Sequence, residues 1–249
     1  MIGNLQRALF LEGEVNDDME SYPKSEGGRI MQSKIIPIRS KDHVTFSCIS
    51  CGNCCRGIKD QIMLEPLDAY RLARYLRHRT GSVETIEDVY SQYTHPLMLE
   101  EIYPVFLLNT RNEDRSCVFL RDSRCSVYDG RPRGCRLYPF TVENGHRGRR
   151  FIYYQCIDRH AAHFKGGQVS VEEWMYQNFT RDAREFIEAE NTALRELGKL
   201  LLELSPEGRK HFMFQLLYYR YYNYDLDQPF QPQYEENQRL LIEALQKEL

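Results

Sequence analysis

Residues 48–55 read Cys-Ile-Ser-Cys-Gly-Asn-Cys-Cys, which places four cysteines within eight positions. Thiolates two residues apart in a tight turn can converge on one metal, and Gly52 gives the backbone the freedom that such a turn requires. The spacing of Cys48, Cys51 and Cys54 also matches the opening of a bacterial ferredoxin run. This stretch therefore predicts either an iron-sulfur cluster of the [4Fe-4S] type or a tetrahedral zinc site, and the spacing leaves both open.

Four further cysteines follow at wide intervals, and the fold must gather them because they are too far apart for a local knuckle: Cys117, Cys125, Cys135 and Cys156. Grouped cysteines in a reducing compartment favour metal ligation over structural disulfides. We take all eight as candidate metal ligands, which would suffice for two four-ligand sites or for one site with several buried thiols. The adjacent Cys54 and Cys55 can serve one ion only if the backbone curves sharply there.

Composition excludes two broad classes of protein. The 249 residues carry 33 basic and 36 acidic side chains, a net charge of −3, which argues against a globally basic nucleic-acid binder. Mean hydropathy is −0.59, and the longest apolar stretches fall far short of the roughly 20 residues needed to cross a bilayer. No signal peptide is visible, so we expect a cytoplasmic protein with no membrane partner.

The pattern along the chain predicts an α+β fold with three parts. Residues 1–34 read as an N-terminal arm, 35–165 as a cysteine-cluster metal-binding domain, and 166–249 as a C-terminal helical extension. The middle part is expected to be a small, irregular, cysteine-rich core with short strands and helices. The last part carries an amphipathic helical pattern that runs from Trp174 to Leu204 and a final helix from about Glu235.

Local signals fix several elements within these parts. Pro37 confines the strand at 35–38 to a sheet edge, and Asn144-Gly145 indicates a hairpin between 140–142 and 151–154. Pro66 and Gly81 are typical of the first position and the cap of a helix. Capping-box patterns begin two more helices, with Thr85 and Asp88 in the first and Ser170 and Glu173 in the second.

Arginines surround the third of the widely spaced cysteines. Arg131, Arg133 and Arg136 flank Cys135, and positive charge beside thiolates offsets the negative charge of a thiolate-ligated centre. We take these three as candidate cofactor-binding residues. The alternative is that they pair with acids such as Asp122 and Asp129 and hold irregular loops together.

Two histidines lie shortly after the last cysteine. His160 and His163 have a spacing that metal ligands can use. A single pair of this kind is weak evidence, so we expect them at the surface or at a helix start.

Several blocks of sequence together resemble a known family: Phe46-Ser-Cys48 through Arg56-Gly57, Cys117-Val-Phe-Leu, Cys125-Ser-Val-Tyr128, Arg131-Pro132 and Cys135-Arg-Leu-Tyr-Pro139-Phe140. In this order they resemble the CxxCxxCC cysteine-cluster family, the YkgJ-like group of zinc- or iron-chelating domains, to which flagellin lysine N-methylases are also similar. The resemblance covers about residues 44–157. It implies binding of an iron-sulfur cluster or zinc and, in the methylase branch, cluster-dependent methyl transfer to lysine.

Two functional hypotheses follow. The first is an iron-sulfur protein in redox or group-transfer chemistry, similar to protein methylation, acting on an unidentified protein or small-molecule substrate. The second is a zinc-stabilised, non-catalytic module that binds a protein or nucleic-acid partner; nothing in the sequence positively indicates nucleic acid. No catalytic residue can be named from the sequence.

Overall fold

A computed structural model describes residues 35–99, 101–111, 113–145, 150–157 and 161–249. The predicted N-terminal arm and His160 lie outside the described residues. Within this part of the chain the elements mix helices with short strands, which confirms the predicted α+β class.

The described residues contain seven α-helices and eleven strands. The helices are α1 (Pro66–Thr80), α2 (Ile86–Tyr93), α3 (Arg133–Leu137), α4 (Val171–Asn178), α5 (Arg181–Glu203), α6 (Pro206–Leu216) and α7 (Phe230–Gln246). The strands are β1 (Ile35–Ile38), β2 (His43–Thr45), β3 (Thr94–Leu99), β4 (Tyr103–Leu108), β5 (Thr110–Arg111), β6 (Ser116–Cys117), β7 (Leu120–Arg121), β8 (Arg124–Cys125), β9 (Phe140–Asn144), β10 (Phe151–Cys156) and β11 (Gln168–Ser170).

The strands form small antiparallel sheets. One has three strands in the order β1-β10-β9, so β1 with Pro37 lies at an edge and the hairpin is confirmed. The other four are two-stranded and pair β11 with β2, β3 with β4, β5 with β6, and β7 with β8. The last two ribbons have strands of two residues each, which leaves the cysteine-bearing region mostly as loops and turns.

The helix boundaries follow the local signals closely, with two corrections. Pro66 begins α1 and Gly81 caps it, Thr85 and Asp88 form a capping box at α2, and the Ser170 hydroxyl accepts the Glu173 N–H at α4. The amphipathic pattern from Trp174 does not make one helix. It breaks after Asn178, where the Thr180 hydroxyl caps a new helix by accepting the Ala183 N–H.

The final helix begins at Phe230, earlier than predicted, because a buried aromatic face continues upstream of Glu235. Phe230 stacks on Tyr224 and Tyr234. The tyrosine-rich stretch before it forms a π-helical segment, Leu217–Tyr222.

One hydrophobic core runs through the described part of the chain, from Val44 to Leu245. It includes Tyr103 and the last four residues of β4, Val105 to Leu108, and apolar residues of α1, α5 and α7. The C-terminal helices therefore pack on the same core that supports the cysteine-bearing loops. No helix among the described residues is long and apolar enough to span a membrane.

Candidate metal centre

Gly52 holds the first cysteine loop against the β7–β8 ribbon. Its backbone is left-handed, with φ +68°, and a Cβ there would lie 2.5 Å from the Ser123 carbonyl oxygen and 2.8 Å from Leu120 Cδ1. Only glycine permits this approach. Loop 48–55 is thereby fixed beside Cys125, which lies on β8.

The backbone turns sharply after Gly52. Residues Asn53–Cys55 form a short 3-10 helix, closed by the Cys55 N–H donating to the Gly52 carbonyl at 3.0 Å. This is the curvature that two adjacent cysteine ligands require. The next three residues hold the end of this loop against residues 114–115. The N–H groups of Gly57 and Ile58 donate to the carbonyls of Asp114 and Arg115, and the Arg56 guanidinium forms an ion pair with the Asp114 carboxylate at 2.5 Å.

Five thiols come together at this junction. The Cys55 side chain lies close enough to Cys54 and Cys125 to shift the pKa of both thiols. Cys117 and Cys135 lie near enough for their charged forms to interact with Cys125 and Cys54. We call these residues the five-thiol cluster: Cys54, Cys55, Cys117, Cys125 and Cys135.

The thiols of this cluster divide into two protonation classes. Hydrogen bonds from Cys55 lower the pKa of Cys54 and of Cys125 to about 7. The same two bonds raise the pKa of Cys55, because its proton is shared with its neighbours. Burial raises the pKa of Cys117 to about 11 and that of Cys135 well above its usual value. At neutral pH Cys54 and Cys125 therefore ionise more readily than Cys55, Cys117 and Cys135.

Cys135 is positioned by an ion pair beneath it. Arg133, at the start of α3, donates from Nε to the Glu65 carboxylate at 3.1 Å, and its backbone N–H donates to Asp68 at 2.8 Å. Arg133 and Asp68 are both buried. Arg133 thus anchors the short helix that carries Cys135 to Asp68 of α1 and to Glu65, the residue just before α1.

Arg131 is the arginine that faces the thiols. Its charge helps to lower the pKa of both Cys54 and Cys125. The guanidinium stacks 3.7 Å from the centre of the Tyr128 ring, and its backbone carbonyl accepts an N–H from Arg136 at 3.0 Å. Burial and the neighbouring Arg71 lower the pKa of Arg136. Arg131 is therefore placed to balance negative charge on the cluster.

Cys51 has a different neighbour. Its Sγ lies 3.0 Å from Nε2 of His163, and the Tyr138 hydroxyl lies 3.2 Å from Nδ1 of the same ring. His163 is only 4% exposed and sits in the short 3-10 helix Ala161–Phe164. Burial lowers its pKa, so the imidazole is neutral at physiological pH.

The surface position expected for His163 is wrong, although it does lie in a short helix. The sequence pattern around it is too brief to show burial, because the contact is made by residues 112 positions away. Its ring is enclosed edge-on by Phe46 and Tyr138. The three residues around its ring, Phe46, Cys51 and Tyr138, all belong to the blocks of sequence that resemble the family.

Two cysteines remain near this histidine. Ser47 donates its N–H to the His163 carbonyl at 2.9 Å, which sets the exposed Cys48 beside the 3-10 helix. Cys156 ends β10 and donates its N–H to the Pro139 carbonyl at 2.8 Å, next to Tyr138. Of the eight sequence-predicted ligands, five thus belong to the five-thiol cluster and Cys51 contacts His163, whereas Cys48 and Cys156 are placed by backbone hydrogen bonds of their own segments.

The donor set suits a thiophilic metal centre. In the described ranges no three His, Cys, Asp or Glu side chains already converge on a point that could hold one ion. Five mutually interacting thiols, two of them with lowered pKa values, supply the donors that zinc or an iron-sulfur cluster takes.

Residues 47–162 match the family model CxxCxxCC, described as "Putative zinc- or iron-chelating domain". This agrees with the metals expected from the cysteines. No curated protein matches the chain, and no solved structure matches it.

Proposed function

We propose that the five-thiol cluster binds an iron-sulfur cluster of the [4Fe-4S] type, as the match of residues 47–162 to a family model of zinc- or iron-chelating domains supports. The gathering of five thiols from four separate chain segments carries this proposal. Iron-sulfur clusters are held by cysteine thiolates, and a bound cluster would supply electron transfer or support group transfer.

The arrangement of the thiols favours a cluster over a single ion. Each iron of such a cluster takes its own thiolate, so the ligands lie farther apart than the four ligands of one zinc ion. A donor set made only of cysteines is also the usual set for this cofactor.

The chain's own residues prepare the site for loading. Cys54 and Cys125, whose pKa values lie near 7, are partly ionised at neutral pH and can take the first metal. The Cys55, Cys117 and Cys135 thiols hold their protons and release them when metal replaces them. Arg131 then offsets the charge that the bound thiolates accumulate.

Burial of the cluster suits redox or group-transfer chemistry, the activity that we propose for the loaded protein. Cys117 is buried in the hydrophobic core, and Cys55 and Cys125 are partly buried and pack against it. A partly buried cluster is shielded from water, which tunes its reduction potential. The substrate class proposed is an unidentified protein or small molecule.

Anaerobic purification tests the proposal. The full chain should be brown, with broad visible absorption and equal amounts of iron and acid-labile sulfide. Cys125→Ser should lose most of the iron, because Cys125 is a proposed ligand that lies beside Cys55. Cys51→Ser is the matched control and should keep its iron, since Cys51 contacts His163.

A colourless preparation whose only metal is zinc would overturn the iron-sulfur assignment. Equal loss of iron in both cysteine variants would overturn the assignment to the five-thiol cluster.

A further inference from the structure

The segment that leads into α3 lies along one face of α1. Asp68, Arg71 and Tyr75 are three and four residues apart, so they share that face. At one end of it Asp68 accepts the Arg133 N–H at 2.8 Å. At the other end Gly130 packs on Tyr75 so closely that a Cβ on the glycine would lie 2.7 Å from the Tyr75 Cβ. Arg71 lies between these two contacts and therefore faces the same segment.

Two arginines of this segment have N–H donors without acceptors. Among the described contacts Arg136 donates only from Nη2, to the Arg131 carbonyl at 3.0 Å. Arg131 stacks on the Tyr128 ring, and its buried Nε has no hydrogen-bond partner. In the part of the chain that the structure describes, neither arginine forms an ion pair with a carboxylate. Their positive charges are therefore not balanced by acidic side chains in direct contact.

Arg71 brings a third guanidinium to the same place. Its Nη2 donates to the Thr180 hydroxyl at 2.9 Å and to the exposed Asp182 carboxylate at 3.0 Å, whereas its buried Nη1 has no partner among the described residues. Buried donors are almost always paired in folded proteins. Burial lowers the pKa of Arg136, and the charges of Arg71 and Arg131 lower it further. A bound anion would supply acceptors and remove the repulsion between these like charges.

The three arginines suit an oxyanion, and they lie beside the five-thiol cluster. The planar guanidinium fork binds carboxylate and phosphate groups through two parallel hydrogen bonds. Arg71, Arg131 and Arg136 are all partly exposed, so a small molecule can reach them from solvent. After the neighbouring Cys55, the charge of Arg131 also contributes to the lowered pKa of Cys54 and of Cys125. The place where the arginines meet therefore borders the cluster.

We propose that Arg71, Arg131 and Arg136 form an oxyanion site that binds a phosphate or carboxylate group of a small-molecule substrate beside the five-thiol cluster. This substrate role rests on the proposed function of the cluster, whereas anion binding itself does not. An anionic group held at the arginines places the rest of the molecule next to the metal centre, and such positioning lowers the barrier to the reaction. The same charges repel a cationic substrate such as a lysine side chain.

Calorimetric titration of the full chain with inorganic phosphate, and separately with acetate, tests the site at constant ionic strength. At least one of the two should bind saturably, and the tighter one identifies the group that the site takes. Arg136→Gln should weaken that binding at least about 10-fold, because it removes charged hydrogen bonds to the anion. Arg124→Gln is the matched control and should bind as tightly as the wild type, since Arg124 is an exposed arginine next to Cys125 on β8.

Arg71→Gln provides a second test should Arg136→Gln fail to fold. It removes a guanidinium from the longer helix α1 and leaves the contact between Arg136 and the Arg131 carbonyl in place. It should also weaken the tighter probe about 10-fold. Unchanged affinity in either folded variant would overturn the site, and so would a wild type that binds neither phosphate nor acetate saturably.

Iron content, measured in the same preparations, separates this site from the metal centre. Arg136→Gln should keep the iron of the wild type while it loses the anion. Loss of its iron would assign Arg136 to the metal centre and would overturn the oxyanion site. A wild type that holds no iron would overturn the proposed function alone, because the phosphate and acetate titrations do not depend on iron.

Discussion

At the scale of single residues, Gly52 decides whether the two cysteine regions meet. It combines a left-handed backbone with an approach to Ser123 and Leu120 that no side chain could share. Gly57, three residues after Cys54, has a similar φ of +62°, but a Cβ there would meet no atom within 4 Å. Substitutions at these two glycines therefore distinguish the cost of a left-handed backbone, which both share, from the cost of close packing, which only Gly52 has.

Gly52→Ala should be more damaging than Gly57→Ala. The left-handed backbone costs an alanine about 1–2 kcal/mol at either position, and overpacking at Gly52 should add about 1–3 kcal/mol. Urea denaturation measures the difference in the free energy of unfolding. Gly52→Ala should also lower the metal content of the five-thiol cluster, and equal behaviour of the two variants would show that the loop does not depend on this contact.

At the scale of elements, α3 depends on its neighbours. A five-residue helix is not stable by itself, so it is held from both ends. Asp68 of α1 accepts the Arg133 N–H at its start, and Trp174 of α4 donates to the Leu137 carbonyl at its end. The position of Cys135 is therefore set by two longer helices that carry no metal ligand.

Asp68 gives this anchoring a pH dependence. Burial and the neighbouring Glu65 raise its pKa from 3.8 to about 6. The folded state then binds more protons than the unfolded state between about pH 4 and pH 6, so the free energy of unfolding falls as pH rises through that window, by up to about 3 kcal/mol. Asp68→Asn should remove this fall when denaturation midpoints are compared from pH 4 to pH 7.

Asp88 supplies a control of opposite sign. Backbone N–H donors at Glu84 and Thr85 lower its pKa. Its contribution is present above its unfolded pKa and is lost as pH falls through its lower folded pKa. Asp88→Asn should therefore destabilise the protein at neutral pH, and a wild-type profile identical to that of Asp68→Asn would contradict the role given to Asp68.

Local elements could be predicted from the sequence, whereas long-range contacts could not. Pro66, Gly81 and the Thr85–Asp88 box act within a few residues of one another, so their patterns are complete in the sequence. The split after Asn178 was missed because the apolar spacing continues across the Thr180 cap. The metal chemistry was readable from cysteine spacing, but the separation of Cys51 from Cys54 depends on where residue 163 packs.

At the scale of the whole molecule, a buried ion pair joins the C-terminal helices. Arg220 of the π-helical segment donates to the Glu190 carboxylate of α5 at 2.7 Å, and the Tyr234 hydroxyl of α7 donates to the same carboxylate. All three side chains lie in the core. Because the π-helical segment carries Tyr221, whose hydroxyl donates to the Pro104 carbonyl at 2.8 Å, the network also reaches β4.

Arg220→Met should destabilise the protein by about 3–5 kcal/mol, because it leaves the Glu190 carboxylate buried without its charged partner. Thermal unfolding followed by circular dichroism measures this effect. The exposed Arg181, which pairs with Glu185 on the surface, is the control, and Arg181→Met should leave the melting temperature unchanged. Similar melting temperatures for the two variants would show that the buried network contributes little.

The separation between Cys51 and His163 has a consequence for synthesis. The two residues are 112 positions apart, and translation at about 5–20 residues per second puts roughly 6 to 20 seconds between their emergence. During that interval the first four cysteines leave the ribosome without the residues that enclose them. The contact between Cys51 and His163 can therefore form only after translation has passed the 3-10 helix.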